Sequence, residues 1–220
     1  MKFTETDKNL FEQVANALSI RGCHISTYDI VEILQIYDII SNRKDISRAE
    51  GASKYVVVFN DKEYVLKWSG DDSVLMESVI YQRAVDKGIS FLFPETILLG
   101  EFHGIYYSIQ QKIDYSAARI PTKDRSRYAR MTKTVTDDIF RKMENGFQVP
   151  NCHYNRDLNR TWAKVFISLY GKAIAKKLCI FIQENRINDL HASNIGFCNY
   201  KPILLDFCGY ENDLISSENY

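Results

Sequence analysis

No CxxC pair occurs in this sequence, and its five cysteines (positions 23, 152, 179, 198 and 208) are odd in number and scattered. That pattern excludes a disulfide framework and a zinc knuckle, and free thiols of this kind fit a reducing compartment. Cys152 and His153 are adjacent, and adjacent residues rarely share one metal ion, so they are read as structural. There is no excess of either charge: 28 basic residues balance 28 acidic ones, which argues against a general nucleic-acid binder. No apolar run approaches the ~18 residues needed to cross a bilayer. The opening MKFTETDKNLFEQ has no apolar signal core. No internal repeat and no low-complexity segment is found. The expectation is a cytosolic protein with neither a membrane nor a nucleic acid as partner.

What is present is enough apolar material to fold. The 220 residues are 45% hydrophobic and 25% charged, sufficient to bury the core of one large domain or two small lobes. Residues 7–19 and 26–41 carry apolar residues at helical spacing, the second run with Ser26 or Thr27 as N-cap. Both read as an N-terminal prelude without chemistry. The texture turns β-rich near residue 46. Tyr55–Phe59 and Glu63–Trp68 flank the turn signal Asn60-Asp61 and predict a hairpin. A helical run over VLMESVIYQRAVDKG follows and stops at Gly88. Strands are predicted at Phe91–Leu99 and Gly104–Gln110. Residues 112–160 are polar and irregular. Their basic stretch (Lys123, Arg125, Arg127, Arg130, Lys133) reads as a solvated face, with contact to an acidic partner or phosphate as the alternative. Residues 161–184 predict one long buried helix. Two short strands, Asn194–Phe197 and Pro202–Leu205, then flank the turn CNYK.

Polar groups interrupt this apolar texture near the C-terminus. Asp189 and Asn194 share one loop, and Asp206 follows the buried-looking strand PILLD. Carboxylates and an amide oxygen are hard donors suited to magnesium.

The segment Asp189-Leu190-His191-Ala192-Ser193-Asn194, followed by Asp206-Phe207-Cys208-Gly209, resembles the catalytic loop and metal-binding turn of the protein-kinase-like superfamily. Its D-L-H-x-x-N form is more similar to the aminoglycoside and choline kinase branch. The resemblance covers residues 46–210 and implies an α+β, two-lobed protein-kinase-like fold. It comprises an N-terminal helical extension (1–45), a small β-rich N-lobe (46–111) and a truncated helical C-lobe (112–220). It further implies that Lys67 pairs the nucleotide phosphates and that Glu77, ten residues on, holds that lysine, with Glu63 as a rival partner. Gly51 and Ser53 would lie over the nucleotide. Residues 109–113, Gln111 and Ile113 among them, would form the hinge that meets adenine. Asn194 and Asp206 would hold Mg²⁺, Asp189 would orient the acceptor hydroxyl, and His191 would contact the γ-phosphate or orient Asp189.

This sequence departs from the family pattern in four ways. Ile187 stands where a bracing histidine is common. Gly51 is the one glycine of the covering loop. The lysine-to-glutamate spacing is short. The chain ends at Tyr220, soon after Asp206. The implied function is an ATP- and Mg²⁺-dependent phosphotransferase, a compact Ser/Thr protein kinase with a protein substrate. The alternatives are a pseudokinase or nucleotide-binding interaction module, and a small-molecule kinase.

Overall fold

The computed structural model describes residues 3–20, 27–39, 46–48, 54–59, 62–113, 115–116, 166–167, 169–187, 194–198 and 201–208. These are mixed α and β. The chain divides into two compact units, one of Met1–Val79 with Glu95–Lys112, the other of Ile80–Pro94 with Ile113–Tyr220. Among the described residues, no helix is long and apolar enough to cross a membrane.

In the first unit, helices α1 (Glu5–Ile20) and α2 (Thr27–Ile36) precede strands β1 (Ile46–Arg48), β2 (Lys54–Phe59) and β3 (Lys62–Ser69). Helix α3 (Ser73–Asp86) follows, its residues up to Val79 in this unit, then β4 (Thr96–Phe102) and β5 (Ile105–Gln111). The five strands form one antiparallel sheet in the order β1-β2-β3-β5-β4. The hairpin β4–β5 turns at His103 (φ 55°) and Gly104 (φ 76°). Two successive positive φ values match the turn whose twist suits adjacent antiparallel strands.

Period-2 alternation then sorts the side chains of β3 and β5 onto two faces. Tyr64, Leu66, Trp68, Tyr107 and Ile109 share a core with Phe11, Val14, Ala17 and Leu18 of α1 and Ile30, Ile33 and Leu34 of α2. The N-terminal helices therefore supply seven of the twelve described residues of this core. Their docking is also polar. The Thr4 amide donates to Asp7 Oδ2 at 2.8 Å, and the Asp7 amide donates back to Thr4 Oγ1 at 3.2 Å. This is a reciprocal cap of the first turn of α1. The same Asp7 is buried and accepts from the Tyr64 hydroxyl at 2.7 Å. The Phe3 amide donates to Glu95 Oε2 at 2.6 Å.

In the second unit, helix α4 (Lys172–Glu184) accompanies a three-stranded sheet ordered β6-β7-β8, from β6 (Tyr115–Ser116), β7 (Ile195–Cys198) and β8 (Lys201–Leu204). Phe93 packs edge-on against Phe181 of α4 (centroids 5.5 Å) and against Phe207 (5.0 Å). The end of α3 is tied to the end of α4, where Arg83 Nη1 donates to Asn185 Oδ1 at 3.2 Å and Lys87 pairs with Glu184 at 3.4 Å.

Three elements differ from the sequence reading. The single helix expected over 161–184 is interrupted at Gly171, which sits at φ 86°, outside helical space: residues 166–167 and 169–170 are helical before it and Lys172–Glu184 after it. The strand expected at Phe91–Leu99 opens instead as a 3₁₀ turn, Ser90–Leu92, and β4 starts only after Pro94. Proline has no N–H to give a sheet ladder. The helix expected over 26–41 stops at Ile36, and Asp38 adopts φ 54°.

Candidate functional site

The second face of the β3–β5 sheet is polar where it is buried. Lys67 lies opposite Ser108, and Val65 opposite Gln110. Thr96 of β4 lies opposite Gln110 on its other side. Strand parity thus sends Lys67, Ser108 and Gln110 to the face away from the α1–α2 core. All three are buried, as are Thr96 and Glu77.

Glu77 reaches this face from α3. The turn that delivers it is short and polar. Asp71 Oδ1 accepts from Ser69 Oγ at 2.6 Å and from the Ser73 amide at 2.9 Å, closing the step from β3 into the helix. These bonds, that from Ser69 first, favour the charged carboxylate and hold Asp71 below its usual range,. One turn into the helix, Glu77 points back at the sheet.

Lys67 Nζ donates to Glu77 Oε1 at 2.8 Å and to Oε2 at 2.7 Å. The residues are 4% and 2% exposed, so this is a desolvated ion pair and not a surface contact. Gln110 Nε2 donates to Glu77 Oε2 at 3.0 Å. An ammonium carries three N–H donors, and the two bonds to Glu77 leave one for an anion. Glu63, the rival partner, pairs with Lys112 instead. Ser108 Oγ is fully buried and has no hydrogen-bond partner among the described residues.

In the second unit the hairpin β7–β8 pairs Ile195 with Leu204. The Leu205 amide donates to the Asn194 carbonyl at 2.9 Å, extending the ladder by one step. Asn194 and Asp206 are therefore carried at the same end of this hairpin. Phe207, next in sequence, is fully buried against Phe93, which anchors the backbone after Asp206. Cys208 Sγ donates to Asp206 Oδ1 at 3.6 Å. The Tyr170 hydroxyl donates to the Pro202 carbonyl at 2.9 Å and steadies β8. An amide oxygen and a carboxylate carried together in this way have the donor chemistry that magnesium takes.

The hairpin is packed tightly. A Cβ on Gly196 would collide with Ile113 Cδ1 and would meet both Leu205 methyls at 2.9 Å. Ile113 thus packs beneath β7, whereas Gln111 closes β5, its amide donating to the Glu95 carbonyl at 2.8 Å. Gly51, Ser53, Asp189 and His191, the basic stretch 123–133 and the pair Cys152-His153 lie outside the described residues.

Sequence reasoning placed Gln110 only within the expected hinge and missed its side chain on this face, together with Ser108 and Thr96. Their signal was the alternation in IYYSIQQ, which assigns a face only once the register with β3 is known. Compared with protein-family models, with curated proteins and with solved structures, the chain matches none.

Proposed function

We propose that this chain is a compact kinase-like phosphotransferase that uses ATP and Mg²⁺ and phosphorylates a serine or threonine hydroxyl of a protein. The observation that carries the reading is the buried pair Lys67–Glu77, strand lysine to helix glutamate, with both carboxylate oxygens engaged. Phosphoryl transfer is mostly positioning and charge neutralisation, and protein kinases depend on a lysine of the third strand held by a glutamate of the following helix. Lys67 is on the third strand of its sheet, and Glu77 on the helix that follows.

In this reading the Lys67 ammonium binds phosphate oxygens, and Glu77 keeps it aimed. Asn194 and Asp206 would hold magnesium, which supplies further neutralisation of phosphate charge. Asp189 orients the acceptor hydroxyl and receives its proton. The fold that would accommodate these roles is a two-lobed kinase-like one.

The test is transfer of labelled phosphate from ATP with Mg²⁺ to protein acceptors, with wild type beside Asp189→Ala and Lys67→Met. Transfer by wild type and its loss in both variants is expected. Equal transfer by all three sinks the assignment. Nucleotide binding without transfer to any acceptor identifies a binding module instead.

A further inference from the structure

We infer that Gln110 is a positioning residue, which fixes the Glu77 carboxylate for Lys67 from a neighbouring strand. The inference deepens the function proposed above and rests on it for its kinetic consequence. Its structural part stands on geometry alone.

A lysine is a poor fixed point. Its charge rides on a flexible four-carbon stem, and an ion pair between two long side chains can shift as a unit. Lys67 and Glu77 hold each other through flexible stems, and a bond from a further strand limits where the pair sits. Gln110 supplies one. It belongs to β5, which is bonded on both sides, to β3 and to β4. Its side chain is shorter than that of lysine and is 4% exposed. Its amide reaches Glu77 Oε2 at 3.0 Å, the same oxygen that takes the 2.7 Å bond from Lys67. One oxygen is thus shared by a donor from β3 and a donor from β5, and the other also accepts from Lys67. The carboxylate cannot rotate without breaking a bond to one strand or the other.

The residue type suits the task. A second cation here would leave the buried cluster with net charge, whose desolvation is expensive. A neutral amide adds a charge-assisted hydrogen bond and leaves the pair electrically balanced. Gln110 is also followed directly by Gln111, the last residue of β5. The strand that ends beside the expected nucleotide edge is therefore the strand that holds the helix glutamate.

The experiment replaces Gln110 by Met, which keeps length and packing and removes the donor, and by Glu, which sets carboxylate against carboxylate. In Gln110→Met the kcat for phosphate transfer should fall about tenfold, the worth of one charge-assisted bond. KM for ATP should stay within about twofold, since orientation and not binding is lost. Gln110→Glu should lose more. In a Glu77→Gln background, Gln110→Met should add less than about twofold, as expected for groups acting through one another. A full tenfold loss in that background overturns the inference.

A second arm needs no turnover. The side-chain amide resonances of Gln110 in ¹⁵N-labelled protein, assigned by their disappearance in Gln110→Met, should move in Glu77→Gln. Resonances that stay in place overturn the inference whatever the activity. Wild type inert toward ATP, with the amide shift intact, overturns the proposed function and leaves the positioning of Glu77 standing.

Discussion

Lys67 Nζ donates to both carboxylate oxygens of Glu77, ten residues along the chain, at 2.8 and 2.7 Å. Removing one partner strands a buried charge. Glu77→Ala should cost about 3–5 kcal/mol of unfolding free energy, measured by urea denaturation. The double replacement Lys67→Met, Glu77→Leu should recover most of that stability, since a packed apolar pair often replaces a buried ion pair at no loss. It should recover no phosphate transfer. A pair that is only structural would predict the same stabilities, so the activity of the double variant separates the two roles.

Asp206→Asn keeps size and shape and removes one charge. Phe207 stays packed on Phe93, so the fold should hold, with an unchanged urea midpoint. Mg²⁺-dependent phosphate transfer should be abolished. Unchanged transfer by Asp206→Asn would remove this residue from the proposed magnesium ligands.

Tyr64→Phe leaves Asp7 Oδ1 without its 2.7 Å donor. A loss of about 1–3 kcal/mol is expected by denaturant titration, the usual consequence of removing a donor from a buried charged acceptor. The change should fall on the α1–sheet contact, visible as faster amide exchange in residues 5–20.

Tyr107 makes the opposite case. Its hydroxyl is buried and has no hydrogen-bond partner among the described residues. Tyr107→Phe should therefore be neutral or stabilising at neutral pH, by up to about 1 kcal/mol. Burial pushes this phenol up to about 12 from its ordinary 10.0. Burial, then Asp7, pushes Tyr64 up as well. The folded protein keeps these protons where the unfolded chain has released them. Stability should fall as pH climbs from 10 towards 12, and less steeply in Tyr107→Phe,.

Gly196→Ala inserts a methyl where Ile113 and Leu205 already sit. The atoms it meets are the mobile ends of side chains, so a cost near the low end of overpacking, about 1 kcal/mol, is expected in denaturant unfolding. A larger loss would mean that neither side chain can turn aside.

Local chemistry was legible in the sequence, and register was not. The hairpin expected from Asn60-Asp61 is present, with strands Lys54–Phe59 and Lys62–Ser69. The helix expected after SGDD runs from Ser73 to Asp86. Period and turn residues specify such elements without reference to the rest of the chain. The strand edge at Pro94 and the helix break at Gly171 were punctuated in the sequence, but by residues that the apolar runs on either side outweighed. Gln110 could not be placed next to Glu77 from sequence, because that depends on β5 pairing with β3 rather than with β2. Asp7 looked like one more polar residue on a helix. Its burial follows from Tyr64, 57 positions away.

The bond from the Phe3 amide to Glu95 joins residues separated by 92 positions. During synthesis α1 leaves the ribosome long before β3, β4 and β5 exist, and its apolar stripe has no sheet to cover. Until the strands are made, the helix has only α2 to share that stripe with. The strands that complete this core follow it out of the ribosome, and at translation speeds of about 5–20 residues per second the delay lasts several seconds. A nascent chain halted before β3 should accordingly leave part of the stripe of Phe11, Val14 and Leu18 to solvent or to a chaperone.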